Sequence, residues 1–141
     1  MKKQEQKVVV QDKPTFIKLL RDPNRFRKLE DGWVRDSLLG IEWGPSSRES
    51  MTFKQAQAYC KKLKARLPEV NELQSLVDYT KYDPAIDTSI FADTVSNWYW
   101  SGTTHAGHSD YAWIVSFYNG FVNWYNKGYS NYVRPVRPSQ C

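Results

Sequence analysis

"FYNGFVNWYNKGYSNY", residues 117–132, holds seven aromatic rings and four asparagines in sixteen positions, and its reading decides the fold. Asn119-Gly120 is a strong hairpin signal, because both turn residues of a type I′ turn need positive φ. A two-residue turn there pairs Tyr118 with Phe121, Phe117 with Val122, Ser116 with Asn123, Val115 with Trp124 and Ile114 with Tyr125. Strand alternation then sorts the side chains onto two faces. Trp113, Val115, Phe117, Val122 and Trp124 form the expected core face. Ser116, Tyr118, Phe121, Asn123 and Tyr125 form an outer, polar-aromatic face. The alternation is too regular, and tryptophan too frequent, for low-complexity sequence.

Upstream of the hairpin the chain reads as helix-bearing. "SMTFKQAQAYCKKLKA" (50–65) is the clearest helix, capped by Thr52 or Ser50, with Phe53, Ala56, Cys60 and Leu63 along one face. Cys60 therefore points inward as a small apolar residue. "LPEVNELQSLVDY" (67–79) predicts a second helix, with Pro68 at its mouth and Val70, Leu73 and Val77 as its stripe. Glu69, Glu72 and Asp78 read as helix-terminal charges facing water rather than as an acid/base or metal set. "RFRKLEDGWVRDSLLGIEWG" (25–44) predicts short strands joined by turns at Asp31-Gly32 and Leu39-Gly40. "TFIKLLRD" (15–22) fits a short helix stopped before Pro23, and Val8–Val10 a short strand in a polar tail. Residues 81–97 read as loop. The division is a 1–24 N-terminal extension and a 25–141 domain.

At 141 residues with 15% aromatics the chain can bury a core without disulfides or metal. The net charge of +5 is uneven: residues 1–66 carry 16 Lys+Arg against 8 Asp+Glu, and residues 67–141 carry 4 against 7. The basic half is interleaved with acids except at "CKKLKAR" (60–66), so nucleic acid is not an expected partner. No apolar run reaches the length of a membrane span. Val8–Val10 is too short for the core of a signal peptide. Retention in the cell, export by another route and a trimmed mature form all stay open. Cys60 and Cys141 match no zinc or redox spacing.

Taken in order, "DGWVRDSLLGIEW" (31–43), "TFKQAQAYCKKL" (52–63), "RLPEVNELQSLVDY" (66–79), "DPAID" (83–87), "YWSGT" (99–103), "YAWIVSF" (111–117) and "YVRPVR" (132–137) resemble the C-terminal domain of the Legionella collagen-like protein. The resemblance implies an α+β, C-type lectin-like fold related to that of formylglycine-generating enzymes, with two helices packed on a small twisted antiparallel sheet. It implies a ligand-binding domain of secreted, cell-surface or virion proteins, whose ligands include sulfated or other polysaccharides. Family members commonly pair a cysteine of the first helix with one in the last strand. Cys60 fits the first position, but Pro135 occupies the second and Cys141 lies six residues later, so Cys60 is expected buried and not bonded to Cys141.

The leading reading is a non-catalytic module that binds a polysaccharide or a protein. Its surface is the outer hairpin face (Ser116, Tyr118, Asn123, Tyr125) with the loops holding Thr103, Thr104, His105, His108, Asp110, Lys127, Tyr129, Ser130 and Asn131. Large rigid rings supply contact area there, while amides and hydroxyls supply hydrogen bonds. A structural or receptor-binding component of a phage virion or appendage, with hypervariable strands, is the alternative, and a homo-oligomer stays open. An enzyme of the formylglycine-generating type ranks last, because it needs a reactive cysteine pair. "HAGHSD" (105–110) has the H-x-x-H-x-D form of a metal site, but histidines in a polar loop read first as surface residues. No cofactor is expected: the Glu-Pro-Asn or Gln-Pro-Asp and Trp-Asn-Asp motifs that hold calcium in classical C-type lectins are missing.

Overall fold

Seven short strands and three helices make up residues 13–140, the part of the chain that the computed structural model describes. In chain order they are α1 (Lys13–Leu20), β1 (Phe26–Lys28), β2 (Val34–Asp36), β3 (Ile41–Trp43), α2 (Phe53–Lys62), α3 (Val70–Gln74), β4 (Trp98–His105), β5 (His108–Ser116), β6 (Val122–Asn126) and β7 (Val136–Pro138). The chain is α+β, as expected, but its strands form two antiparallel sheets rather than one. One sheet has the order β1-β2-β3-β7 and the other β4-β5-β6. Val8–Val10 and Cys141 lie outside the described residues.

The helices follow their local signals to different extents. Thr52 caps α2, and the Thr52/Gln55 capping box is complete, with Phe53, Ala56 and Cys60 buried beneath. Leu63 is the C-cap and lies at the surface. α3 is much shorter than the 67–79 stripe suggests. Ser75 Oγ donates to Glu72 O, Arg25 Nη1 donates to Ser75 O, and the next two bonds, Leu76 N to Leu73 O and Val77 N to Gln74 O, belong to a tighter turn. Glu72 is no free surface acid, since it closes a capping box with the Glu69 N–H and pairs with Arg66 at 2.9 Å.

The three-stranded sheet separates two cores. Tyr99, Val115 and Phe117 face one, with Trp43, Leu73, Leu76, Ile86, Phe91 and Val136. Trp100, Ala112 and Ile114 face the other, with Phe53, Ala56, Cys60, Leu67 and Val133. The end of β5, Ile114–Ser116, is therefore buried on both faces, while β6 is an edge strand. Beneath the first core, Asp36 is fully buried and clamped by Arg25, Nε to Oδ1 at 3.0 Å and Nη2 to Oδ2 at 2.9 Å. It also accepts from Trp43 Nε1 at 3.0 Å. Glu42, equally buried, takes Arg35, Arg137 and the Gln140 N–H, which fastens β7 to β3.

The hairpin register departs from the expected one. β5 and β6 pair Val115 with Val122, Ile114 with Asn123, Trp113 with Trp124 and Ala112 with Tyr125, a slip of two residues. The cause is tertiary. Ala85 N–H and Asp83 N–H donate to the carbonyls of Phe117 and Tyr118, and Phe117 N–H donates to Asn97 O. The backbone that a two-residue turn would pair with β6 is thus held by other segments. Residues 117–121 form a wider loop in which Gly120, but not Asn119, has positive φ. An even slip keeps the two faces but moves Trp124 about 7 Å along the strand. Trp124 is consequently 44% exposed, and its expected burial beside Val115 is corrected. Trp113 is half-buried, while Val115 and Phe117 take their expected core places.

Candidate functional site

Trp124, Tyr125 and Tyr129 are exposed rings on or beside β6, the uncovered strand of β4-β5-β6. β4 and β5 turn through Ala106-Gly107, which sets His105 opposite His108. Bulges between Trp100 and His105 re-aim the β4 side chains. His105 stacks on Trp113 at 5.2 Å and 24°, and lies 4.9 Å from Trp124. Trp113 and Trp124 meet edge to face at 5.4 Å and 82°, a favoured geometry for aromatic pairs. The Gly107 N–H donates to His105 Nδ1 at 3.0 Å, so the proton of the neutral ring sits on Nε2. His108 extends the group, 5.7 Å from His105 and 5.6 Å from Tyr111. Each ring is held by its neighbours, which keeps the cluster in one arrangement.

The other side of β6 is also uncovered. Tyr125 and Tyr129 pair at 5.0 Å and are both exposed. Lys127 Nζ lies 4.7 Å above the Phe53 ring and donates to Thr104 Oγ1 at 2.9 Å. Asn123 Oδ1 accepts the Trp124 N–H at 2.8 Å, and Asn126 Oδ1 accepts the Gly128 N–H, shaping the turn that leads to Tyr129.

Of the residues singled out from sequence, His105 and His108 stand on the tryptophan side, Thr104, Tyr125, Lys127 and Tyr129 on the other side of β6, Asn123 opposite Ile114 further along the strand, and Asp110 and Ser130 are exposed. Thr103 is half-buried and its Oγ1 caps the Val70 N–H of α3. Ser116 and Asn131 are buried; Ser116 Oγ accepts the Tyr118 N–H, and the Asn131 backbone pairs with Met51. Tyr118 belongs to a different surface at the turn end, where it meets Tyr82 at 6.3 Å. Tyr79 joins that end through its hydroxyl, which donates to Gly120 O.

Sequence reasoning assigned Trp113 and Trp124 to the core and so missed the centre of the cluster. The readable signal is "NWYN" (123–126), where polar residues flank both rings of a strand that no further strand covers. Among the described residues, no group of three His, Cys, Asp or Glu is placed to hold a metal ion, so His105, His108 and Asp110 do not converge. Cys60 is buried and its thiol is pushed up to about 12 by that burial. No helix among the described residues is long and apolar enough to cross a membrane. A cavity of about 770 Å³ lies elsewhere, between α1 and residues 71–79. No curated protein matches the chain. The model of the Lcl C-terminal domain family, however, matches residues 32–137, from the β1–β2 turn through the whole aromatic end to β7. On that match the chain belongs to the Lcl C-terminal domain family.

Proposed function

We propose that the domain is a non-catalytic binding module on a C-type lectin-like scaffold, and that it holds a polysaccharide on the aromatic end of β4-β5-β6. The observation that carries this reading is the mutually braced His105–Trp113–Trp124 cluster, with Trp124 44% exposed. Aromatic faces carry partial negative charge, and the C–H groups on a sugar ring face are complementary to them. The His108 ring beside the cluster suits a sugar hydroxyl, and Asn123, Tyr125 and Tyr129 offer further amide and hydroxyl groups on the other face of β6. Bracing by neighbours lowers the ordering cost of binding.

An enzymatic role of the formylglycine-generating type is disfavoured by the chemistry of Cys60. A thiol pushed up to about 12 holds almost no thiolate at neutral pH. A glycan array with the wild-type domain and the Trp113→Ala/Trp124→Ala variant tests the reading, with circular dichroism as the check on folding. Binding lost from a folded variant is expected, and unchanged binding overturns it.

A second reading, a subunit of a virion or appendage, draws on the separate exposed group of Tyr79, Tyr82, Tyr118 and Phe121 at the turn end. Light scattering distinguishes it: a concentration-dependent oligomer that Phe121→Ser disperses favours assembly over glycan recognition.

A further inference from the structure

We infer that the exposed rings at the turn end of the hairpin, Tyr79, Tyr82, Tyr118 and Phe121, form a docking site for a proline-rich, extended segment of a partner protein. The site is separate from Trp113 and Trp124, and the inference does not depend on the polysaccharide reading.

The rings are exposed yet held in place. Their residues keep between 47% and 73% of their surface in water. Tyr82 and Tyr118 stand edge to face, 6.3 Å between ring centres and 89° between planes. The backbone beneath fixes that pair, since the Asp83 N–H donates to Tyr118 O and the Ala85 N–H to Phe117 O, both at 2.7 Å. Tyr79 is seated on the same loop. Its hydroxyl donates to Gly120 O at 2.9 Å, and its ring lies so close that a Cβ on Gly120 would come within 2.6 Å of it. Rings fixed before binding lower the ordering cost of binding.

The main chain of the loop is already engaged. Phe117 N–H donates to Asn97 O, Tyr118 N–H to Ser116 Oγ, Gly120 N–H to Ser116 O and Phe121 N–H to Asn119 Oδ1. With the Phe117 and Tyr118 carbonyls taken as well, a partner gains little here by adding a strand, and recognition falls to side chains. Polar groups bordering the rings are also engaged: Gln74 Nε2 donates to the Tyr79 hydroxyl, and Asp78 Oδ1 accepts from Thr80. Ring faces, ring edges and the Tyr82 and Tyr118 hydroxyls stand forward.

A proline-rich segment is the complement of such a surface. Its polyproline II backbone has no internal hydrogen bonds, so its carbonyls accept from hydroxyl donors, and its conformation is largely set before binding. Pyrrolidine C–H groups pack against aromatic faces, which carry partial negative charge. Size argues the same way. Four aromatic residues exposed to this degree leave on the order of 500 Å² in water. A stable interface between folded subunits needs about 800 Å² on each side. The patch is too small for a second copy of the chain and suits a few residues of extended peptide.

The test titrates the full chain against a fluorescein-labelled decaproline peptide, read by anisotropy, beside a Gly-Ser peptide of equal length. Saturable binding of decaproline alone is expected. Tyr82→Ala, at the most exposed of the four rings, should weaken it by on the order of tenfold or more with an unchanged circular dichroism spectrum. Tyr82→Phe, which removes only the hydroxyl, should weaken it by less, about threefold. Trp124→Ala should leave it unchanged, which separates this site from the polysaccharide surface. Absence of saturable decaproline binding, or equal binding by the Tyr82→Ala variant, overturns the inference. Binding of cellohexaose in place of the peptide, or a light-scattering mass that rises with concentration, overturns it too if Tyr82→Ala abolishes the effect, since the rings then serve a sugar or a second copy.

Discussion

Trp124 stands edge to face with Trp113, 5.4 Å between ring centres and 82° between planes, yet keeps 44% of its surface in water. A ring so placed contributes to stability mainly through one aromatic pair and partial burial. Trp124→Ala is expected to cost about 1–2 kcal/mol. Trp100, fully buried and donating its indole N–H to Met51 O, should cost ~3–5 kcal/mol on the same change. Urea midpoints of the two variants check the contrast, and equal losses would mean that Trp124 is a core residue.

Arg25 and Asp36 give a second prediction. Both side chains are almost fully buried, and Asp36 also serves Trp43 and the amides of Leu38 and Leu39. Removing the cation strands a buried carboxylate. Arg25→Met should therefore destabilise by about 3–5 kcal/mol, read from chemical denaturation. A loss below about 1 kcal/mol would mean the pair is screened by water.

Gly120 separates two causes of glycine preference. Its φ is +90°, and a Cβ there would lie 2.6 Å from the Tyr79 ring and 2.7 Å from Val77. Gly32 has φ +91° and open space around it. Gly32→Ala should cost about 1 kcal/mol from conformation alone. Gly120→Ala should cost roughly 1–3 kcal/mol more, because Tyr79 and Val77 must shift. Thermal melts of both variants decide whether the close approach matters.

Acid should destabilise the fold over a defined window. Burial opposes the charge on Glu42, Glu72 and Asp93 most strongly. Arginine and backbone donors together outweigh it and hold all three carboxyls below their ordinary range. Groups lowered on folding contribute stability above their unfolded values and lose it as pH falls through the folded ones. The melting temperature should be nearly level between about pH 7 and 5, then drop below about pH 4. A level curve down to about pH 2 would contradict these shifts.

Cys60 should be silent to thiol reagents in the native state, given its burial and raised thiol. In a Cys141→Ser background, Ellman's reagent should react only after denaturant is added. Rapid reaction of the native protein would show that α2 opens readily.

What the sequence conveyed was local. Thr52, Gln55 and the Phe53–Ala56–Cys60 stripe specify α2 with no help from elsewhere, and the turns around Gly32 and Gly40 place the first three strands. Distant partners decided the rest. β7 pairs with β3 across a separation of 95 residues, which no local pattern announces, and so two sheets stand where one was expected. The hairpin pattern gave the correct faces but the wrong register, because the 83–85 segment claims the backbone of Phe117 and Tyr118. The candidate site was half legible for the same reason. Its polar members declare themselves by type, whereas Trp113 and Trp124 look like core until the edge position of β6 is known.

The bond from Trp124 N–H to Asn123 Oδ1 has a consequence for self-association. Ser116 N–H to Phe121 O and Lys127 N–H to Asp110 O show that alternate residues of β6 aim their amides at β5, which leaves the Trp124 amide aimed outward. An outward amide on an aromatic edge strand is a template for another chain. Asn123 occupies that donor with its own side chain, so the strand that displays the most ring surface is a poor seed for cross-β stacking. Asn123→Val, which adds β-propensity and frees the amide, should make the domain form thioflavin-positive fibres on standing, where the wild type does not.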